Sequence, residues 1–293
     1  MNKLNFSEIL SYDKNLVDSY LADYFEKNKS FSDLYEIAYY SVKNGGKRFR
    51  PILVMEFCEA FGGDKNKIVP IAAAIEMIHT YSLIQDDLPC MDDDELRRGK
   101  PSCHIAYGEA RALLASDLLL TDSFGMIDES DTDDQIKMEI VKLFSDCAGG
   151  RGMIAGQALD LYAENSSPDE ALLKKIDSLK TSKLIEASVL AGLIFAKADK
   201  KTLLAGSEYA KALGFAFQLT DDLLDVKGDE KLIGKKVGSD DLNEKATYVK
   251  IFGLDKTEKK AKEQVQKAVS SIEKFENTEI LVQIAKNIIN RVN

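Results

Sequence analysis

Apolar residues recur at helical spacing along nearly the whole chain, and no segment alternates the way a half-buried strand does. The pattern predicts helices over residues 6–27, 31–43, 50–61, 66–88, 104–128, 133–163, 168–197, 199–227, 240–254 and 256–291, the last broken in the 270s. Gly62-Gly63, Ser166-Ser167-Pro168 and Gly228-Asp229 supply stop and start signals. Connections are short, and no linker or low-complexity run divides them. The expected architecture is one all-α bundle, a single domain over residues 1–293. Leu184–Ala198 is apolar on most faces, so it belongs at the centre of a bundle or at a subunit interface. The second possibility raises the expectation of a homodimer.

Composition agrees with helix. The chain has 293 residues, 45% of them hydrophobic, with five prolines and no tryptophan. Its formal net charge of −10 argues against nucleic-acid binding and against adhesion to anionic lipid. Four cysteines (Cys58, Cys90, Cys103, Cys147) show no Cys-x-x-Cys spacing and read as free thiols of a reducing cytoplasm. The first residues lack the apolar core of a signal peptide, and no run of about 18 apolar residues predicts a membrane span.

Against this background two acidic clusters stand out. The first is Asp86-Asp87-Leu88-Pro89-Cys90-Met91-Asp92, at the end of an apolar helix. In an unbroken helix residues six apart point about 120° away from each other. Pro89 breaks the helix near Leu88, and the chain can then turn Asp92 back toward Asp86. Taken alone, the cluster is equally readable as a solvated acidic loop. The second cluster is Asp221-Asp222-Leu223-Leu224-Asp225. Asp221 and Asp225 are four apart and share a helix face, beside Phe215, Phe217, Leu219 and Val226. Carboxylates at this density repel and are costly to desolvate, so a protein keeps them beside its core only with something positive between them. Oxygen-only ligands suit Mg²⁺, which also binds substrate phosphates. Together the clusters read as a metal–diphosphate site.

Basic segments accompany both. Gly45-Gly46-Lys47-Arg48-Phe49-Arg50-Pro51 opens a helix, with glycines for close anion approach and Arg and Lys for phosphate. Arg97-Arg98 follows the first cluster, and Lys180-Thr181 begins an apolar helical stretch. Lys235-Lys236 and Lys245 follow the second cluster. The pattern predicts two diphosphate sites, one using Mg²⁺ and one using Lys and Arg alone.

These segments, with Gly156-Gln157-Ala158-Leu159-Asp160-Leu161, stand in the order and spacing of the trans-isoprenyl diphosphate synthases. The chain resembles that family, and within it the bacterial farnesyl diphosphate synthases. The resemblance implies an isoprenoid-synthase-type helical bundle around a central cavity, usually a homodimer, with three Mg²⁺ per active site. It implies Asp86 and Asp92 as metal ligands with Asp87 in support, and Asp221 as a ligand with Asp222 and Asp225 nearby. It implies Lys47, Arg50, His79 and Arg98 around isopentenyl diphosphate. Arg97, Lys180, Thr181, Gln218, Lys235 and Lys245 are implied around the allylic diphosphate, where Lys236 could stand in for Lys235. Three positions depart from the family pattern. Gln85 and Asp177 replace usual histidines, and Ser182 replaces a usual glycine.

The implied chemistry is head-to-tail prenyl transfer through an allylic cation, with C15 farnesyl diphosphate as product. Neither histidine serves as a nucleophile, and His104 reads as a helix-start or core residue. Tyr81 is the implied floor of the tail channel. Ideal helix geometry favours Ser82 instead, one turn from Asp86 and nearly on its face, whereas Tyr81 lies about 140° round. Alternatives are a geranylgeranyl or longer-chain synthase, and a non-catalytic regulatory subunit of a heteromeric prenyltransferase.

Overall fold

The computed structural model describes residues 5–164, 169–227 and 247–289. Fourteen α-helices carry those residues. They are α1 (Phe6–Asn28), α2 (Leu34–Lys43), α3 (Phe49–Ala60), α4 (Val69–Asp86), α5 (Cys103–Tyr107), α6 (Glu109–Asp128) and α7 (Asp134–Ala148). Then follow α8 (Met153–Glu164), α9 (Glu170–Asp177), α10 (Lys183–Phe195), α11 (Lys200–Lys227), α12 (Tyr248–Phe252), α13 (Leu254–Ile272) and α14 (Glu279–Ile289). A π-helical turn, Ser178–Ser182, joins α9 to α10. The fold is all-α, as expected. The chain forms two compact units, one of residues 1–55 and 64–141, the other of residues 56–63 and 142–293.

In the first unit α1 starts on a capping box, with Asn5 and Glu8 satisfying each other's backbone amides. Val17, Leu21 and Phe25 fall on one buried stripe. The central element is α4. Pro70 sits in its first turn, and every residue from Val69 to Ile78 is buried. Such a helix shows almost no amphipathic bias, because neighbours surround it. It packs chiefly on α6 and also on α1 and α2.

In the second unit α11 packs on α10 and α13, and α14 packs on α13. Leu184–Val189 are all buried within this chain, so α10 is central in its unit. Its apolarity is satisfied without a second subunit.

Several expected helices are shorter than the pattern predicts, each for a local reason. Gly108, at φ +87°, separates α5 from α6 inside the expected 104–128. The Gly149–Gly152 turn ends α7 and lets α8 begin inside 133–163. Gly253, at φ +79°, divides α12 from α13. Among the described residues of the expected 240–254 helix, 248–252 form α12, and 254 already belongs to α13. The break in the 270s is present, between Ile272 and Glu279.

No strand is expected from the pattern, yet Leu96–Arg97 pairs antiparallel with Lys100–Pro101. The two-residue turn is Arg98 (φ +55°) and Gly99 (φ +75°), the left-handed pair that tight hairpins need. The signal was the glycine. The ladder is too short for alternation to register.

Candidate active site

The first aspartate cluster is built by the end of α4. Asp86 closes the helix, and Pro89 forbids its continuation. The chain then doubles back: the Asp92 amide donates to the Asp86 carbonyl at 2.9 Å, and the Asp93 amide to that of Leu88 at 3.2 Å. Asp93 takes a left-handed φ of +51° to complete the turn. Asp86 and Asp92 are half-buried on this turn, as the proline break predicted.

Asp87 is buried and faces the protein. It accepts hydrogen bonds from Nε and Nη2 of Arg97, the first at 2.8 Å, and Asp94 accepts a third from Nη2 at 3.0 Å. The Asp87 carboxylate thus orients Arg97, while Asp86 and Asp92 are the less buried acids of the turn.

The tight hairpin places Arg98 against the glycine loop, where its Nη1 donates to the Gly45 carbonyl. Gly46, at φ +123°, lies so close that a Cβ there would sit 2.9 Å from the Arg98 guanidinium. The loop is glycine because arginine packs flat on it. Lys47 is exposed, and Arg50 sits in the first turn of α3.

His79, on α4, feels four cations. Burial and then the charges of Arg50, Arg98, Arg97 and Arg48 hold its pKa well below the usual imidazole range. It is therefore neutral at pH 7 and can donate a hydrogen bond without adding charge. Arg50, Arg97 and Arg98 thus form a cationic cluster around a neutral His79.

Tyr81 is buried, and its hydroxyl has no hydrogen-bond partner among the described residues. Burial, helped by the charge of Asp86, pushes its pKa up to about 12. Ser82 is half-buried and turns its hydroxyl back onto the His79 carbonyl at 2.9 Å. His104, second in α5 after Cys103, is buried with its Nδ1 3.0 Å from the Ser102 hydroxyl, which fits the helix-start or core role expected of it.

The second cluster lies near the end of α11. Asp221 is half-buried, and Asp222 and Asp225 are buried. Asp222 accepts from the Tyr248 amide at 2.7 Å and from Gln218 Nε2 at 3.0 Å. The Gln218 carbonyl oxygen is thereby aimed at Thr181, whose hydroxyl lies 3.5 Å away. Lys180 and Thr181 sit on the π-helical turn, a local widening often found at functional sites. Lys180 is paired with Asp160 at 2.7 Å. The turn packs directly on Gly156, where any side chain would strike the backbone of Lys180. Lys235 and Lys245 lie outside the described residues.

Among the described residues, no three Asp, Glu, His or Cys side chains already form a metal cage. The donors at both clusters are nonetheless carboxylate oxygens alone, the chemistry that suits Mg²⁺. Asp87 and Asp222 are buried, whereas Asp86, Asp92 and Asp221 are half-buried and so more accessible.

The sequence profile of the family "Polyprenyl synthetase" matches residues 32–288. The chain belongs to the polyprenyl synthetase family. A farnesyl diphosphate synthase of Geobacillus stearothermophilus is 42% identical over 257 residues, covering 87% of this chain and 86% of that protein. A geranylgeranyl diphosphate synthase of Cyanophora paradoxa is 42% identical over 266 residues, covering 89% and 88%. The crystal structure of a Helicobacter pylori geranyltransferase, complexed with magnesium and isoprenyl diphosphate, superposes with a TM-score of 0.81. It shares 32% identity and covers 99% of this chain and 98% of its own.

Membership gives the three departures a frame, and the structure gives each a local account. Gln85 donates to the Ser116 hydroxyl at 3.1 Å and pins α4 to α6. Ser182 packs on Gly214 of α11, where a Cβ would meet the Ser182 Cα at 2.9 Å. The extra atoms at 182 are accommodated by the missing ones at 214. Asp177 is buried, with a pKa pushed up to about 7 by burial and by the charge of Asp160. Tyr248 and Lys180 pull it the other way.

Two residues of the site escaped the sequence reading. Arg48 was grouped with its neighbours as a phosphate residue, yet it points inward to Glu76. Glu76 is the one acid in an otherwise apolar stretch, Val69–Ile78. A lone carboxylate in so apolar a segment requires a buried cation, and that was the available signal.

Proposed function

We propose that this chain is a prenyltransferase that joins isopentenyl diphosphate head-to-tail to dimethylallyl and geranyl diphosphate and releases farnesyl diphosphate. The observation that carries the reading is the first unit's pairing of an acidic turn, Asp86 to Asp92, with a cationic cluster of Arg50, Arg97, Arg98 and neutral His79. That pairing suits two diphosphates, one held through a metal and one held directly. The second unit carries an acidic cluster of its own, Asp221 to Asp225, and Lys180.

Mg²⁺ when bound, three ions per site, would offset the charge growing on the departing diphosphate. Asp86 and Asp92 would hold it at one cluster, and Asp221 with Asp225 at the other. Asp87 and Asp222 would orient Arg97 and Gln218. Lys47, Arg50, Arg98 and His79 would grip isopentenyl diphosphate, each charge-assisted bond adding about 1.5–3 kcal/mol. Arg97 and Lys180, with Lys235 and Lys245, would face the allylic diphosphate. Ionisation breaks the allylic C–O bond. The double bond of isopentenyl diphosphate then forms the new C–C bond, and a proton leaves to the released diphosphate. Thr181 and Gln218 would steady the cation as dipoles, because a carboxylate there could trap it.

Farnesyl is preferred over geranylgeranyl as product because a bulky, buried Tyr81 stands five residues before Asp86 on α4. The full set of acids and cations disfavours a non-catalytic subunit. We propose further that the two units work as one domain, which the match over residues 32–288 supports. We also propose a homodimer, supported by exposed Ile105, Leu113 and Leu114 on α5 and α6. A cytoplasmic setting is supported by four free cysteines. No described helix is long and apolar enough to cross a membrane.

The test is product analysis with isopentenyl diphosphate, Mg²⁺ and either dimethylallyl or geranyl diphosphate. Farnesyl diphosphate is expected from both. Absence of any prenyl product would overturn the reading, and a C20 or longer product would replace its specificity.

A further inference from the structure

Arg48 lies between two residues proposed to hold isopentenyl diphosphate, Lys47 and Arg50, yet it faces the opposite way. Its side chain is 3% exposed. Nη1 meets Glu76 of α4 at 2.7 Å, and Glu76 is itself 2% exposed. Nε meets Asp18 of α1 at 2.7 Å, and Nη2 donates to the Val42 carbonyl at the end of α2 at 2.7 Å. One guanidinium thus joins three helices and uses donors on all three nitrogens. Lysine, with a single nitrogen, cannot span them.

The backbone of Arg48 is equally committed. Its φ of +49° is uncommon for a residue carrying a Cβ. Its carbonyl accepts from the Ile52 amide at 3.0 Å and so opens α3. The side-chain anchor on Arg48, two residues before Arg50, therefore sets where α3 begins. Glu76 lies three residues, about one helical turn, before His79 on α4. The ion pair ties the segment bearing Lys47 and Arg50, the loop and the first turn of α3, to the helix bearing His79.

We infer that Arg48 is a positioning residue for the metal-free diphosphate site, acting through Glu76 to hold Lys47, Arg50 and His79 in one fixed arrangement. Breaking the pair costs alignment toward one substrate, not only stability. A shift of about an ångström in binding groups is enough to lose much of the rate. The inference rests on the proposed assignment of Lys47, Arg50 and His79 to isopentenyl diphosphate.

The experiment is steady-state kinetics on Arg48→Lys and Glu76→Gln with both substrates varied, beside Arg50→Ala. Each positioning variant is expected to raise KM for isopentenyl diphosphate about tenfold or more, while KM for geranyl diphosphate stays within about twofold. Circular dichroism is expected to show an unchanged helix content. A lowered melting temperature with both KM values unchanged, or with both raised equally, would make the pair a scaffold element and overturn the inference. If both buried variants fail to fold, Asp18→Asn decides, because Asp18 stands at the half-buried end of the network. A selective rise in its KM for isopentenyl diphosphate supports the inference, and a folded variant without one overturns it. Should Arg50→Ala also lack the selective effect, the site assignment fails rather than the positioning role.

Discussion

The amide of Asp92 is bonded to the carbonyl of Asp86 across 2.9 Å, though the two lie six residues apart and a continuous helix would point them about 120° apart. The turn at Pro89 brings the two residues together through their backbones, and both are half-buried. Asp86→Ala is therefore expected to cut turnover by orders of magnitude, and Asp221→Ala at the other cluster likewise, with helix content unchanged. EDTA should abolish activity and Mg²⁺ restore it. Near-normal turnover in either variant would remove that residue from the metal-binding set, and full activity in chelator would remove the metal.

The contact between Arg98 and the Gly45 carbonyl joins two distant loops, both of which carry residues proposed for the metal-free site. Lys47→Ala or Arg50→Ala should raise KM for isopentenyl diphosphate about ten- to a hundredfold, the equivalent of roughly 1.5–3 kcal/mol. KM for the allylic partner should move far less. An equal effect on both substrates would contradict the division of the two sites.

Much of this was legible in the sequence because the signals were local. Helical periodicity marked α1, α4 and α11 to within a few residues, and Pro89 foretold the turn at the first cluster. Single glycines such as Gly108 and Gly253 were harder. A lone glycine inside a helical pattern is compatible with either continuation or a left-handed break, and only tertiary packing decides. The same limit applies to Arg48. A run of basic residues beside glycines reads as a surface for phosphate, and nothing within six residues says that one of them turns inward. Its partner Glu76 is 28 residues away on another helix. The π-helical turn at Lys180 leaves no trace in the hydrophobic pattern either, since it shifts the register by only one residue.

Ser182 and Gly214 behave as a matched pair. Gly214→Ala should destabilise the protein by about 1–3 kcal/mol, because its methyl would press on the Ser182 backbone and hydroxyl. Ser182→Gly should recover part of that loss, leaving the clash with the backbone. A double-mutant cycle on denaturant midpoints measures the coupling. Additive effects would mean that the two positions are independent.

Asp177 makes stability depend on pH in an unusual direction. Its pKa is raised from 3.8 to about 7, chiefly by burial. Between those values the folded state binds the proton more tightly than the unfolded chain, so stability falls as pH rises through that window and levels off above it. Asp177→Asn keeps the shape and cannot ionise. It should be more stable than the parent at pH 8, with the difference shrinking toward pH 4. Chemical denaturation of both proteins at pH 5 and pH 8 checks this. A gap that is the same at both values would show that Asp177 ionises as freely in the folded protein as in the unfolded chain.

Tyr81 bears on product length. Ideal helix geometry favoured Ser82 as the residue below Asp86, but the structure gives Ser82 a local task, with its hydroxyl bonded to the His79 carbonyl. Tyr81 is large, 2% exposed, and close enough to Asp86 to feel its charge. Its hydroxyl is buried without a hydrogen-bond partner among the described residues, a costly arrangement that a wholly apolar ring would avoid. A tyrosine so placed can cap a hydrocarbon channel. Tyr81→Ala should open room for at least one more isoprene unit, and each CH₂ buried there adds about 0.8 kcal/mol toward keeping the chain in place for another round. The expected products with isopentenyl diphosphate in excess are C20 and longer, at a turnover within about tenfold of the parent. Ser82→Ala, which removes only a back-bonded hydroxyl, should leave the C15 product unchanged. An active Tyr81→Ala enzyme that still stops at C15 would place the floor on another residue.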